Sequence, residues 1–179
     1  MEYWIDRYNN AGIVPQPIPE GALNAARMSG IVVASSLRRA RESAQTLCGD
    51  IASLCESIFR EADLPFASWR HPKLPASVWA IAFRLAWFLG YSAGTESVRD
   101  ANARARLAAE RLTFLAGEYR SVLLVGHGIL NALIARHLLK LGWVGPARPA
   151  QGYWQFSVYF AAGEAPGQNR PRATIGGAD

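Results

Sequence analysis

The run Val122-Leu-Leu-Val125 stops at Gly126-His127-Gly128 and passes at once into a helix-like segment with apolar Ile129, Leu130, Leu133, Ile134 and Leu138, and Asn131 in its first turn. Four apolar residues with two β-branched valines read as a short strand buried on both faces. The two glycines clear space around His127 for close backbone approach. Strand, glycine-flanked turn and helix N-terminus together set backbone N–H groups and the positive end of a helix dipole beside an anion. In open α/β sheets ligands bind at the carboxyl ends of the strands, where His127 stands.

Other segments alternate in the same way. Glu2 to Asp6 reads as a first strand entering the loop Arg7-Tyr8-Asn9-Asn10-Ala-Gly12. Three prolines between Ile13 and Pro19 make an extended connection, and Pro19-Glu20-Gly21 opens a short helix through about Met28. Gly30 to Ser36 is a second buried strand. Leu37 begins a helix carried through about Phe59 by Leu47, Ile51, Leu54, Cys55 and Ile58 at helical spacing. Glu61 to Trp69 is a loop with a short strand, and His71 to Pro75 is a breaker region. Ser77 to Gly90 reads as a helix whose Trp79, Phe83, Trp87 and Phe88 belong to a core. Glu96 to Ala116 is a long amphipathic helix, Gly142 to Pro149 a loop, and Tyr153 to Phe160 an alternating final strand near a sheet edge. The expected fold is α/β, a mostly parallel sheet with helices on both faces. A single domain spans 1–161, and the aperiodic Gly, Pro and Arg composition of 162–179 reads as a mobile tail.

The net charge of +5 suits an anionic ligand, but the 19 basic residues are scattered, with no basic block or aromatic–basic repeat for nucleic acid. Cys48 and Cys55, seven apart on the expected helix, stand roughly 10 Å apart along its axis and read as buried thiols without a disulfide. No cofactor or metal is expected, because the three histidines show no ligand spacing. The apolar run Ala76 to Tyr91 is too short for a bilayer and contains Arg84, and the first residues lack a signal-peptide pattern, so a cytoplasmic protein without membrane partners is expected.

In such a sheet the loops after Asp6, Ser36 and Val125 share one edge, bringing Arg7 or Tyr8, Ser36, Arg39 and His127 together. Arginine suits bidentate binding of phosphate, and Glu61 is placed to approach as a carboxylic acid, so the set suits phosphoryl binding with acid catalysis at a leaving oxygen. The run Val33-Ala-Ser35-Ser36-Leu37-Arg38-Arg39-Ala40-Arg-Glu-Ser43-Ala44 resembles the Ser-Pro-Leu-x-Arg-Ala-x-x-Thr-Ala element of the histidine phosphatase (phosphoglycerate mutase-like) superfamily. Phe59-Arg-Glu61-Ala resembles the segment with that family's proton-donating carboxylate, and Val122 to Gly128 its second histidine motif. The resemblance implies a three-layer α/β/α sandwich and phosphate-ester chemistry through a phosphohistidine. It also implies phosphoryl binding by Arg39 and His127, and an acid–base role for Glu61.

One place departs from that pattern. The Arg-His-Gly motif that ends the family's first strand is matched by Asp6-Arg7-Tyr8-Asn9, so Arg7 keeps its phosphate-binding place while Tyr8 stands at the nucleophile position. A tyrosine of pKa near 10 is a poor nucleophile at neutral pH. His137, ten residues beyond His127, sits some 15 Å along its helix, and His71 lies in the breaker region. Three readings remain: a phosphate or phosphoester binder without phosphohistidine chemistry, a phosphomonoester phosphatase or mutase of altered mechanism, and a protein that keeps only the fold for interaction. The expected partner is phosphate or a phosphorylated small molecule, and a final strand near the sheet edge offers a route to a homo-oligomer.

Overall fold

In β1, Ile31–Ser35, all five residues are buried, as a strand covered on both faces requires. A computed structural model describes residues 2–49, 53–67 and 75–164 and puts β1 at the centre of a parallel three-stranded sheet. On one side β1 pairs with β2, Ser53–Glu56, in the register Val33 to Leu54; on the other it pairs with β3, Val122–Val125, in the register Val33 to Leu124. Helices α2, Glu20–Met28, and α3, Arg38–Cys48, meet Val32, Ala34, Leu123 and Val125 through Ala26, Ala44 and Cys48. On the opposite face Ile31, Val33, Val122 and Leu124 join the larger core of α5, Val98–Tyr119, and α6, Gly128–Lys140. The alternation of side chains along β1 and β3 thus divides two cores, giving a three-layer α/β/α sandwich. Helix α4, Ala76–Phe88, contributes Trp87 to the larger core.

Three expected elements differ. Glu2 to Asp6 is not a strand: residues Glu2–Asn10 form helix α1, where Tyr3 and Arg7, four apart, pair across one turn. The helix expected through Phe59 ends at Cys48, where Gly49 takes φ +58° and caps it. Ser53–Glu56 then becomes β2, because an apolar run this short fits either period. Cys48 and Cys55 therefore share no helix. Cys48 is buried, with its thiol pKa pushed up by burial, whereas Cys55 lies exposed on β2 with Sγ 3.4 Å from the Ser35 carbonyl. Ile51, counted on that helix face, lies outside the described residues.

Tyr153 to Phe160 forms no regular strand either. Only a single antiparallel bridge joins Val144 to Phe160, and Trp154 at φ +59° interrupts any extended run. The end of the Glu61–Trp69 segment, His71 and the tail from 165 onward fall outside the described residues. Among the described residues no helix is long and apolar enough to cross a membrane.

Candidate functional site

Parallel pairing brings the carboxyl ends of β1, β2 and β3 to one edge of the sheet. Ser35 is the last residue of β1, on the same face as Ile31 and Val33 and therefore toward α6. His127 follows β3 after Gly126 and forms the N-cap position of α6, with its carbonyl accepting from Asn131 N at 2.8 Å. The two side chains meet at that edge: His127 Nε2 lies 2.8 Å from Ser35 Oγ, a hydrogen bond whose direction follows the imidazole tautomer. Ser35 Oγ also accepts from Leu37 N at 3.2 Å. Gly126 has a local reason, since a Cβ there would overlap the Asn131 amide packed on the turn.

His127 is 8% exposed. Burial first, then the charges of Arg39, Arg104 and Arg60, push its pKa down to about 4, so the ring is neutral at neutral pH. Of these cations, Arg39 has its other contacts with Tyr8. Arg39 Nη1 donates to the Tyr8 carbonyl at 3.0 Å, and its guanidinium lies 4.6 Å from the Tyr8 ring centroid.

Glu61 reaches the same edge in an unexpected way. Its Oε1 accepts from Leu130 N at 3.0 Å and from Ala62 N at 3.0 Å, and Oε2 accepts from Ile129 N at 3.4 Å. The first N–H groups of α6, expected to face an external anion, are thus capped by the protein's own carboxylate. Arg104 holds the segment before Glu61: Nη1 donates to the carbonyls of Ile58 and Arg60 at 2.9 and 2.7 Å, while Nε and Nη2 fork onto Glu96 at 2.7 Å each. Behind Glu61, Arg84 donates to the carbonyls of Ala62 and Asp63 and lies over the Trp87 ring; burial lowers its pKa against the charge of Glu61.

Of the residues expected to converge, Glu61 and His127 both stand at the N-terminus of α6, while Arg39 lies on α3 against Tyr8 and acts on His127 through its charge. Arg7 does not stand at a strand end; it lies on α1 with its guanidinium 5.7 Å from the Tyr3 ring centroid. Tyr8 also lies on α1, meeting Arg39 through its ring and its carbonyl. Ser36 is half-buried beyond the strand, and Ser35 is the serine that meets His127. Strand alternation puts 31, 33 and 35 on one face, but the sequence does not say which face carries His127. Ser35 and Arg104, which no motif in the sequence marks, are the residues that bond His127 and the segment before Glu61. His137 is in the α5–α6 interface, bonded to Asn102 Oδ1 at 3.1 Å. A shallow groove lined by Cys55, Glu56, Ser57, Ile58, Leu107 and Arg111 opens at β2 and contains neither His127 nor Arg39.

The sequence model of the histidine phosphatase superfamily (branch 1) matches residues 21–166. The chain belongs to the histidine phosphatase superfamily. Ser35, Arg39, Glu61 and His127 of this superfamily member all lie inside the matched range, and Arg7 and Tyr8 precede it. Similar solved structures include a mycobacterial hydrolase at 31% identity, TM-score 0.48, covering 67% of this chain and 64% of that one. The chain therefore spans about two thirds of that hydrolase's length. A mycobacterial glucosyl-3-phosphoglycerate phosphatase, solved with inorganic phosphate, is 26% identical over 79% of this chain and 82% of its own, at TM-score 0.48. An Escherichia coli protein described as a candidate alpha-ribazole-5'-P phosphatase shares the fold at TM-score 0.51 and 17% identity, over 88% of this chain and 89% of its own. No curated protein matches the chain by sequence.

Proposed function

We propose that this superfamily member binds phosphate or a phosphoester through Arg39 and His127 without phosphohistidine chemistry. The observation that carries the reading is a buried His127 at the carboxyl end of the sheet, its Nε2 2.8 Å from Ser35 Oγ, with the Arg39 cation acting on it electrostatically. In the Nδ1–H tautomer Ser35 accepts from Leu37 N and donates to Nε2, and Nδ1 is the nitrogen that donates to a ligand oxygen. Arg39 exchanges the Tyr8 carbonyl for ligand oxygens, a change from a neutral acceptor to a charged one. A bound dianion complements the positive field that Arg39, Arg104 and Arg60 set up at the imidazole.

Turnover is absent in this reading for two reasons. Phosphohistidine formation, as the family resemblance describes it, needs one imidazole to attack and another to stabilise the phosphoryl group. Of the two described histidines, His137 is bonded to Asn102 elsewhere. Glu61 accepts three backbone N–H groups and acts as a fixed carboxylate that closes α6 rather than as a proton donor.

Calorimetry with inorganic phosphate is expected to show binding that Arg39→Ala weakens by about tenfold to a hundredfold, the loss of a charge-assisted hydrogen-bond pair. A metal-free assay with p-nitrophenyl phosphate is expected to show no turnover above buffer. Turnover abolished by His127→Ala establishes an active phosphatase instead, and absence of phosphate binding leaves the fold alone.

A further inference from the structure

We infer that α4 is the contact helix of a homodimer, pairing antiparallel with α4 of a second copy. The helix is apolar all round. Phe83 and Trp87 are buried on one side, with Trp79 stacked on Phe83 at 5.4 Å and Trp87 Nε1 bonded to the Glu96 carbonyl at 2.8 Å. On the opposite side Val78, Ile81, Leu85 and Phe88 are exposed, continued by Leu89; Ile81 is 64% and Leu85 61% exposed. A helix hydrophobic on every side belongs in an interior, so its outer stripe calls for a cover.

The residues of the stripe identify that cover. Positions 78, 81, 85 and 88 are spaced three, four and three apart, the seam of a two-helix coiled coil. A two-fold axis level with residue 83 sets Ile81 against Leu85 of a second copy and Val78 against Phe88, so the surface is complementary to itself. Charge agrees with this. The only ionised residue from 76 to 89 is Arg84, whose guanidinium is turned onto the Ala62 and Asp63 carbonyls and the Trp87 ring, leaving the stripe uncharged. Val78, Ile81, Leu85, Phe88 and Leu89 are all exposed, Leu89 to 89%, and doubled across a two-fold axis five such large side chains approach the roughly 1,200 Å² at the lower bound of stable protein interfaces. A membrane surface fits less well, because an interfacial helix carries a basic polar face that this 13-residue helix lacks. Pairing at α4 braces the Arg84 contacts behind Glu61, so the interface lies next to the candidate site without supplying a residue to it.

Sedimentation velocity over a concentration series of the full chain tests the pairing. The chain is expected to sediment with twice the monomer mass at micromolar concentration. Ile81→Glu and Leu85→Lys singly are expected to give monomers with unchanged circular dichroism, since both positions are exposed. The double variant Ile81→Glu with Leu85→Lys is expected to restore the dimer, because the antiparallel axis sets each new carboxylate against the other copy's new ammonium. Monomer at every concentration, or a dimer indifferent to either single change, overturns the proposal. So does a double variant no more dimeric than the singles. A monomer that floats with phosphatidylcholine–phosphatidylglycerol vesicles and loses that binding in Ile81→Glu assigns the face to membrane instead.

Discussion

His127 Nε2 and Ser35 Oγ, 92 positions apart in the sequence, lie 2.8 Å apart at the carboxyl ends of adjacent parallel strands. The bond links the two halves of the candidate site, because β1 leads into the helix that carries Arg39 and β3 leads into His127. Its partners are both buried, so the imidazole nitrogen depends on the Ser35 hydroxyl for its partner.

Ser35→Ala removes the hydroxyl while keeping the strand. It strands the imidazole nitrogen and the Leu37 N–H, and an expected loss of about 1–3 kcal/mol follows. Ser36→Ala, next in sequence but outside that bond, is expected to stay within about 0.5 kcal/mol. Urea unfolding of the two variants side by side measures the difference.

Stability is expected to fall as pH drops from 6.5 toward 4. His127 has a folded pKa of about 4, mainly through burial and then through the nearby arginines, against 6.5 unfolded. The unfolded chain therefore binds the extra proton in that window. The contribution of this group is complete above pH 6.5 and is lost going down, by at most about 3 kcal/mol. His137, also lowered by burial, adds in the same direction. His127→Asn removes its own share, so the slope of unfolding free energy against pH between 4 and 6.5 is expected to flatten in that variant.

Arg104→Ala leaves Glu96 and two carbonyls without their partner, and an expected loss of about 3 kcal/mol follows from a part-buried, forked ion pair. Arg106→Ala, which breaks only the exposed pair with Glu110 one turn apart, is expected to cost under about 0.5 kcal/mol. Thermal unfolding of both, with phosphate titrations at a temperature where each is folded, separates loss of stability from loss of the Glu61 segment's position.

The residues at which local reading failed share a cause. Tyr3 and Arg7 form a helical pair only because the segment became a helix, and five residues do not choose between periods. Gly49 marked the end of α3, yet the apolar residues beyond it continued the helical spacing by coincidence. Among the described residues the alternating run 153–160 has no strand to pair with beyond the one bridge at Phe160. The helix N-terminus after His127 was legible, but not that Glu61 would occupy it.

By itself the sequence determined the α/β class, strands β1 and β3, the helices from α4 to α6, and the motif positions of Arg39, Glu61 and His127. These follow from short-range periodicity and from residue types at motif spacing, both written along the chain. Tertiary structure decided that Ser35 rather than Ser36 meets His127, that α1 replaces a first strand, and that Arg104 and Glu61 close the site from within. Those outcomes depend on which buried polar group finds a partner from a distant segment. That pairing exists only once the parallel sheet has brought the strand ends together.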